Sequence, residues 1–224
     1  MPDFCTKAPV RGNKAKLVDI VVARADSHDI QFWDSEMVPR NIKHSPGRAD
    51  VKWKWQNILA LAATQDAQGR PYEFYAISTP NSEGEWIRAA MMMIICPHPH
   101  IAPNSDDGSA FVWFLAAAET KSLTDEKIKV SEPPSLGRVM IDTAIVHSLG
   151  CGYAGRIGLH AAPAGGPELL SFYADHCQLD RVPKTSRLPL MVSTALKGND
   201  GRYFYADASL AMPLLNEVTQ LGWR

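Results

Sequence analysis

The apolar positions of this chain change their spacing from segment to segment, and each spacing indicates one type of element. Spacings of three and four run from Ser135 to Leu149 and predict a helix that Gly150 ends. Short apolar or alternating runs predict strands at 17–23, 72–79, 85–96, 110–118, 156–161, 190–196 and 203–206. Further helices are predicted at 26–36, at 51–64 with Asp50 as N-cap, from about 167, and at 210–221.

The order of these elements predicts an α/β fold in which antiparallel strands come first and a parallel β-α-β unit follows. Turn residues at 81–84 and 197–201 predict two hairpins. Residues 1–15 are polar and contain two prolines, so we predict a loose lead-in there and a single domain over 16–224.

The segment Ser135–Leu179 carries the strongest functional signal. A turn of small residues opens its first helix, and the free N–H groups of such a helix start suit a phosphate. Three motifs follow one another in it: SLGRVMIDTAI, GRIGLHA and LLSFYADHCQL. In order and spacing they resemble the acyl-CoA-binding core of the GNAT superfamily of N-acetyltransferases. The chain departs from that pattern where Ser135 replaces a loop glycine, Glu132 stands in place of Gln or Arg, and Leu179 replaces an aromatic residue.

The resemblance implies a GNAT-like mixed central sheet with helices on both faces, and acetyl-CoA as the acyl donor. The pyrophosphate of CoA would lie on the residues that open the first helix, which are Ser135, Leu136, Gly137, Arg138 and Val139.

The resemblance also implies two catalytic residues. Tyr173 would protonate the departing thiolate of CoA, and Glu119 would deprotonate the amine. Glu85 and His160 are further candidates for the base. For Tyr173 a core position is the equally weighted alternative, because Phe172 and Tyr173 lie on an amphipathic helix.

An aromatic and basic segment precedes the hairpin. Trp53 and Trp55 alternate there with Lys52 and Lys54. Three interpretations stay open, which are a wall of the acceptor site, a surface that stacks on nucleic-acid bases, and a helix that buries Trp55. In a GNAT-like fold this region borders the acceptor, so Trp53 and Trp55 are the predicted substrate-binding residues.

Composition narrows the classes of partner. A formal net charge of −1 leaves no excess of Lys and Arg to neutralise nucleic-acid phosphates. No run of eighteen apolar residues occurs, and the N-terminus lacks the apolar stretch of a secretory signal, so we expect a cytoplasmic protein without a membrane partner. The four cysteines are scattered and are expected to be reduced.

The run CPHPH at 96–100 is the one local metal-like pattern. Cys96, His98 and His100 would point to one side of an extended strand, and zinc accepts these ligand types. Three ligands spaced by two residues on a straight strand converge poorly on one ion. We therefore predict an exposed strand end and no metal site.

The sequence as a whole favours an acetyl-CoA-dependent N-acyltransferase that acts directly on a small-molecule or protein amine. A non-catalytic acyl-CoA-binding or protein-interaction module on the same fold is the main alternative. A nucleic-acid-modifying acyltransferase is a weaker one, and a homodimer is one option for the assembly.

Overall fold

The structure, a computed structural model, describes residues 4–10, 13–42, 48–118, 123, 135–191 and 198–220. Within these ranges the strands are β1 Phe4–Val10, β2 Asn13–Arg24, β3 Tyr72–Pro80, β4 Trp86–Pro99, β5 Gly108–Ala117, β6 Ile157–His160, β7 Asp180–Arg181 and β8 Tyr203–Ala206. They form one eight-stranded sheet in the spatial order β1-β2-β3-β4-β5-β6-β8-β7.

The described helices are α1 Ser27–Phe32, α2 Trp55–Asp66, α3 Leu136–Gly150, α4 Gly166–Ser171 and α5 Ala208–Gln220. Two of them continue as π-helical segments, α1 into Trp33–Ile42 and α4 into Phe172–His176, and a 3-10 turn at Pro163–Gly165 precedes α4. Among the described residues, no helix has both the length and the apolar character that a membrane crossing requires.

Helices α2 and α3 cover opposite faces of the sheet. The ring of Phe74 on β3 lies 6.1 Å from that of Trp55 in α2, and the ring of Tyr75 lies 5.7 Å from that of His147 in α3. Because neighbouring side chains of a strand point to opposite faces, the two helices enclose the sheet between them. The core consists of these two layers.

The predicted fold class is confirmed. Strands β1 to β5 pair antiparallel in sequence order, while β5 and β6 pair parallel through the crossover helix α3. The predicted β3–β4 hairpin is also present, and Asn81 Oδ1 accepts the backbone N–H of Glu83 and of Glu85 at 2.9 and 2.8 Å. A β-α-β unit therefore follows an antiparallel meander, as the order of elements predicts.

The N-terminal segment differs from the prediction of a loose lead-in over residues 1–15. Phe4–Val10 form β1, which pairs with β2 from Phe4↔Val22 onward. Strand β1 lies at the edge of the sheet. An edge strand pairs on one side only, so it tolerates Pro9, which has no backbone N–H to donate. Of the predicted strand at 190–196, the structure describes Leu190 and Met191, which have no regular secondary structure. The other residues of that strand lie outside the described ranges.

Helix α2 begins later than predicted, and Asp50 is not its N-cap. Its first turn is capped from another element by Asp34, whose two carboxylate oxygens accept the backbone N–H groups of Trp55 and Gln56 at 2.8 and 3.0 Å. A cap supplied from a distant position leaves no signal in the local sequence.

The prolines of the CPHPH run are exposed, but Cys96, His98 and His100 are buried, so the prediction of an exposed strand end is wrong for these three side chains. The β4–β5 register shifts between Ile95 and His98. His98 then stacks on Phe111 with ring centroids 4.4 Å apart, and His100 meets Tyr205 edge-on at 5.6 Å, whereas Cys96 belongs to the main core. The three side chains therefore do not lie together on one face.

Burial of these two histidines makes stability depend on pH. Desolvation lowers the pKa of His98 and of His100 to about 4 each, below the value of about 6.5 for an unfolded histidine. Between these pH values the unfolded chain binds more protons than the native one, so the free energy of unfolding should fall as the pH falls from about 6.5 to about 4.

His100→Leu should reduce that slope by up to about 1.4 kcal/mol per pH unit, as measured by urea unfolding at several pH values. Leu190→Ala is the control, because it changes an exposed residue that does not titrate and should leave the slope unchanged. Equal slopes for His100→Leu and the unmodified protein would contradict the assignment of His100 as a neutral core residue.

Candidate active site

The parallel strands β5 and β6 part at their carboxyl ends. Their ladder runs from Ala110↔Ile157 to Val112↔Leu159, after which β5 continues to Ala117 while β6 ends at His160. We call the opening between residues 113–117 of β5 and residues 160–161 the fork.

A β-bulge lies where the fork begins. Met93 pairs with Phe114 and Ile94 with Val112, so Trp113 is an extra residue in β5. A bulge increases the local twist and redirects side chains. Residues 109–112 are buried, but the next three side chains, Trp113, Phe114 and Leu115, each keep partial exposure. Both faces of β5 are thus partly open beyond the bulge.

The start of α3 lies at the same end of β5 as the fork, because a crossover helix runs antiparallel to the strand that precedes it. The first N–H groups of an α-helix have no acceptor within the helix, and those of α3 follow Ser135, which is half-buried. The side chains of Leu136 and Val139 are buried in the core. Of the predicted cofactor residues, these contribute backbone groups and no polar side chain.

Gly137 allows a close contact at the start of α3. A Cβ built at this position would lie 2.8 Å from Cζ of Phe172, closer than nonbonded carbons approach. Glycine therefore lets the first turn of α3 sit directly on the π-helical segment after α4. The residues before it in the predicted loop, Glu132 and Pro133–Pro134, lie outside the described ranges.

Arg138 makes side-chain contacts with its own helix and with the segment after α4. Its Nε donates to Asp142 Oδ1 at 3.0 Å, and its Nη1 donates to the carbonyl of His176 at 2.6 Å. The side chains of Arg138 and Asp142 are 16% and 4% exposed. The bond to His176 ties α3 to the segment that bears Tyr173, and a role of Arg138 as a phosphate ligand stays a prediction.

Tyr173 lies in the core close to the base of the fork. Its ring centroid is 5.3 Å from that of Phe172 and 5.6 Å from that of Phe204, the β8 residue paired with Leu159. Only 6% of the residue is exposed, and desolvation raises the pKa of its hydroxyl. The hydroxyl therefore stays protonated at neutral pH.

The segment that precedes α2 docks on the outer part of β5. Arg48 forms two hydrogen bonds with the carboxylate of Asp50, at 2.8 and 2.6 Å, and donates a third to the carbonyl of Ala117 at 2.7 Å. The sequence predicts Asp50 as a helix cap, and no local motif indicates that it pairs with Arg48.

The docked segment places Trp53 beside the fork. Its half-buried indole meets the ring of Phe114 edge-on at 5.0 Å. Trp55 has 0% exposure and packs against Trp33 and Phe74. Of the two predicted substrate residues, Trp53 borders the opening, and Trp55 is a core residue without surface to offer a substrate.

Of the three predicted bases, the structure describes Glu85 and His160, which lie on different elements. Glu119 lies outside the described ranges. Glu85 is exposed in the β3–β4 turn, where Asn81 Nδ2 donates to its carboxylate at 3.1 Å. His160, at the end of β6, pairs through Nε2 with Asp200 at 3.0 Å, and its side chain is 4% exposed. Its environment is that of a packed strand residue.

Comparisons with known proteins identify the fold. No protein-family model matches the sequence, and none of the curated proteins matches it. Among solved structures, apo FdhC, a nucleotide-linked sugar GNAT, matches with a TM-score of 0.50 and 10% identity over 97% of this chain and 98% of its own. This match shows that the chain has the GNAT fold, which confirms the resemblance seen in the sequence.

Two further solved structures match with lower TM-scores. The DNA complex of KacTA matches at 0.49 with 10% identity, over 88% of this chain and 99% of its own. The spermidine N-acetyltransferase of Vibrio cholerae, in complex with CoA and spermine, matches at 0.45 with 10% identity, over 86% of this chain and 98% of its own.

The contacts of Arg138 lead to a prediction about stability. Arg138→Met should lower the free energy of unfolding by about 3 kcal/mol, because it leaves the Asp142 carboxylate buried without its cation. Urea unfolding measures this loss, and adding Asp142→Leu should recover more than half of it. Arg187→Met, at an exposed position, is the control and should change stability by less than about 0.5 kcal/mol. A stable Arg138→Met protein with weakened acetyl-CoA binding would instead make Arg138 a cofactor contact.

Proposed function

We propose that the protein transfers an acetyl group directly from acetyl-CoA to an amine. The observation that carries this proposal is the fork, where a bulged strand parts from its parallel neighbour beside the start of a helix. The GNAT fold supports it, because the opening lies in the β-α-β unit to which the sequence resemblance also points.

The donor would bind along the fork. Its pyrophosphate would lie against the backbone N–H groups of residues 135–139 at the positive end of the α3 dipole. Its extended pantetheine arm would follow β5, which brings the thioester to residues 113–117. Backbone N–H groups there would polarise the acyl carbonyl, since oriented donors stabilise the oxyanion of a tetrahedral intermediate.

The transfer itself requires two proton movements. The amine must lose a proton as it attacks the carbonyl carbon, either to a carboxylate, for which Glu119 is the proposed residue, or through water. The intermediate then expels the thiolate of CoA, and Tyr173 would donate the proton that this sulfur takes up. Burial raises the pKa of this hydroxyl, so Tyr173 is protonated at neutral pH, which is the state that a general acid needs.

The acceptor would enter beside Trp53. Its indole and the half-buried rings of Trp113 and Phe114 form an apolar wall at this side of β5. Such a wall favours an amine that carries an apolar portion, as a small molecule or as a side chain of a protein. We predict that the reaction takes place in the cytoplasm.

The proposal is tested by acetyl-CoA itself. A ligand that binds only the native state raises the melting temperature, so millimolar acetyl-CoA should raise it, and a panel of amines should then identify an acetylated product. Tyr173→Phe removes only the hydroxyl, so it should keep the thermal shift and lower the rate by about 10²–10⁴-fold.

The outcomes separate the candidate functions. A melting curve that acetyl-CoA leaves unmoved would refute the cofactor assignment. Binding without transfer to any amine would favour the non-catalytic acyl-CoA-binding module. A fully active Tyr173→Phe protein would make Tyr173 a packing residue only.

The position of Trp53 generates a prediction about the acceptor. Trp53→Ala should raise the KM for the acceptor about tenfold and leave the KM for acetyl-CoA near its original value, because Trp53 borders the fork on the acceptor side. Steady-state kinetics with each substrate varied in turn measure the two constants. Tyr153→Ala removes another half-buried aromatic residue, one that packs on Gly108 at the end of β5 opposite the fork, and should change neither constant. An unchanged acceptor KM in folded Trp53→Ala protein would remove this segment from the acceptor site.

A further inference from the structure

Three side chains of types that can bind a metal ion lie close together at the end of α3 that is away from the fork. They are Cys96 on β4, His147 in the last turn of α3, and Cys151 directly after that helix. One ligand atom from each lies within 4.8 Å of the other two. We propose that Cys96, His147 and Cys151 bind a zinc ion that fastens the end of α3 to β4.

The helix presets two of the ligands. His147 and Cys151 are four residues apart, so their side chains lie on one face of the last helical turn. Sγ of Cys151 is 3.4 Å from Nε2 of His147. In a tetrahedral zinc site with bonds of about 2.3 Å to sulfur and 2.05 Å to nitrogen, that edge measures about 3.6 Å. This pair already has the separation that zinc requires.

The third ligand comes from the sheet. Cys96 is buried in the core on the face that α3 covers, so its thiol completes a triangle with the two helical ligands. A small movement would bring the sulfur atoms to the spacing of about 3.8 Å that two thiolates on one zinc ion adopt. Two thiolates and a neutral imidazole are a ligand set that zinc accepts.

Tyr75 fixes the orientation of the imidazole. Its hydroxyl lies 3.0 Å from Nδ1 of His147. When Nδ1–H donates to this hydroxyl, the lone pair stands on Nε2, which faces Cys151. Histidines that bind metals usually make such a bond through their second nitrogen, and its loss typically weakens metal binding. The outer contact of a zinc ligand is therefore present.

The charges around the cluster also suit zinc. The two thiolates neutralise the charge of the ion, and the nearby Arg24 is paired with Glu73 at 3.1 Å. Zinc binds thiolates, so uptake of the ion by this cluster releases the protons of the two thiols.

Cys151 opens the cluster to solvent. It is exposed, and no atom stands within 4 Å of a Cβ built on either neighbouring glycine, Gly150 or Gly152. Zinc can enter from this side, and water can take the fourth position that the three side chains leave. The cluster and the fork lie at opposite ends of α3, roughly 22 Å apart for a helix of 15 residues. The zinc proposal therefore does not rest on the proposed acyltransferase function.

Titration of the reduced, metal-free full chain with Zn²⁺ tests the proposal. Calorimetry should show one ion per chain and, when repeated in buffers of different ionisation enthalpy, the release of about two protons. Co²⁺ in place of Zn²⁺ should give the intense visible bands of a tetrahedral site and a thiolate-to-metal charge-transfer band in the near ultraviolet.

Three variants locate the site. Cys151→Ser changes an exposed residue and should weaken Zn²⁺ binding more than about 100-fold, since loss of an outer-shell partner alone costs about 10–100-fold. Tyr75→Phe should weaken binding by about 10–100-fold while the stoichiometry stays at one ion. Cys177→Ala removes a cysteine that lies outside the cluster and should bind Zn²⁺ like the unmodified protein.

Two results would overturn the proposal. One is the absence of stoichiometric Zn²⁺ binding by the reduced protein. The other is binding that Cys151→Ser leaves unchanged or that Cys177→Ala abolishes equally, which would place the ion elsewhere. The Co²⁺ spectrum of each variant reads the ligand set directly, so neither result depends on enzymatic activity.

Discussion

Three residue pairs hold β5 parallel to β6, and the rest of the candidate site depends on where this pairing stops. If β5 stayed paired with β6 along its whole length, no space would remain between the two strands. The N–H groups of β5 would then donate to β6. The extra residue Trp113 twists β5 at that point. The result is an opening lined by backbone groups on one side and by aromatic side chains on the other.

Helix α3 connects the two functional regions that we infer. Its first turn rests on the ring of Phe172 because Gly137 has no side chain, and Arg138 bonds to the carbonyl of His176. Its last turn presents His147 to Tyr75 and Cys151. Helix α3 packs on β4, β5 and β6, so an ion bound at its last turn would also restrain its first turn, where we propose that the cofactor binds.

The sequence predicted the features that local patterns encode. Apolar periodicity located α3 and the β3–β4 hairpin, and the order of elements predicted the parallel pair. It missed contacts between distant segments, because they leave no periodic signal. Examples are the capping of α2 by Asp34 and the pairing of Arg48 with Asp50. The same limit applies to the proposed zinc ligands. The local pattern groups Cys96 with His98 and His100, whereas the side chains near Cys96 in the structure are those of His147 and Cys151.

Hydrogen–deuterium exchange with and without acetyl-CoA tests the central claim, that the fork holds the cofactor. The account predicts slower exchange in two stretches, at 113–117 of β5 and at 135–139 where α3 begins, while peptides of β1 and β2 on the far side of the sheet stay unchanged. Protection of both stretches would place the cofactor along β5 and across the helix start. Bound acetyl-CoA that protects neither stretch would contradict the account.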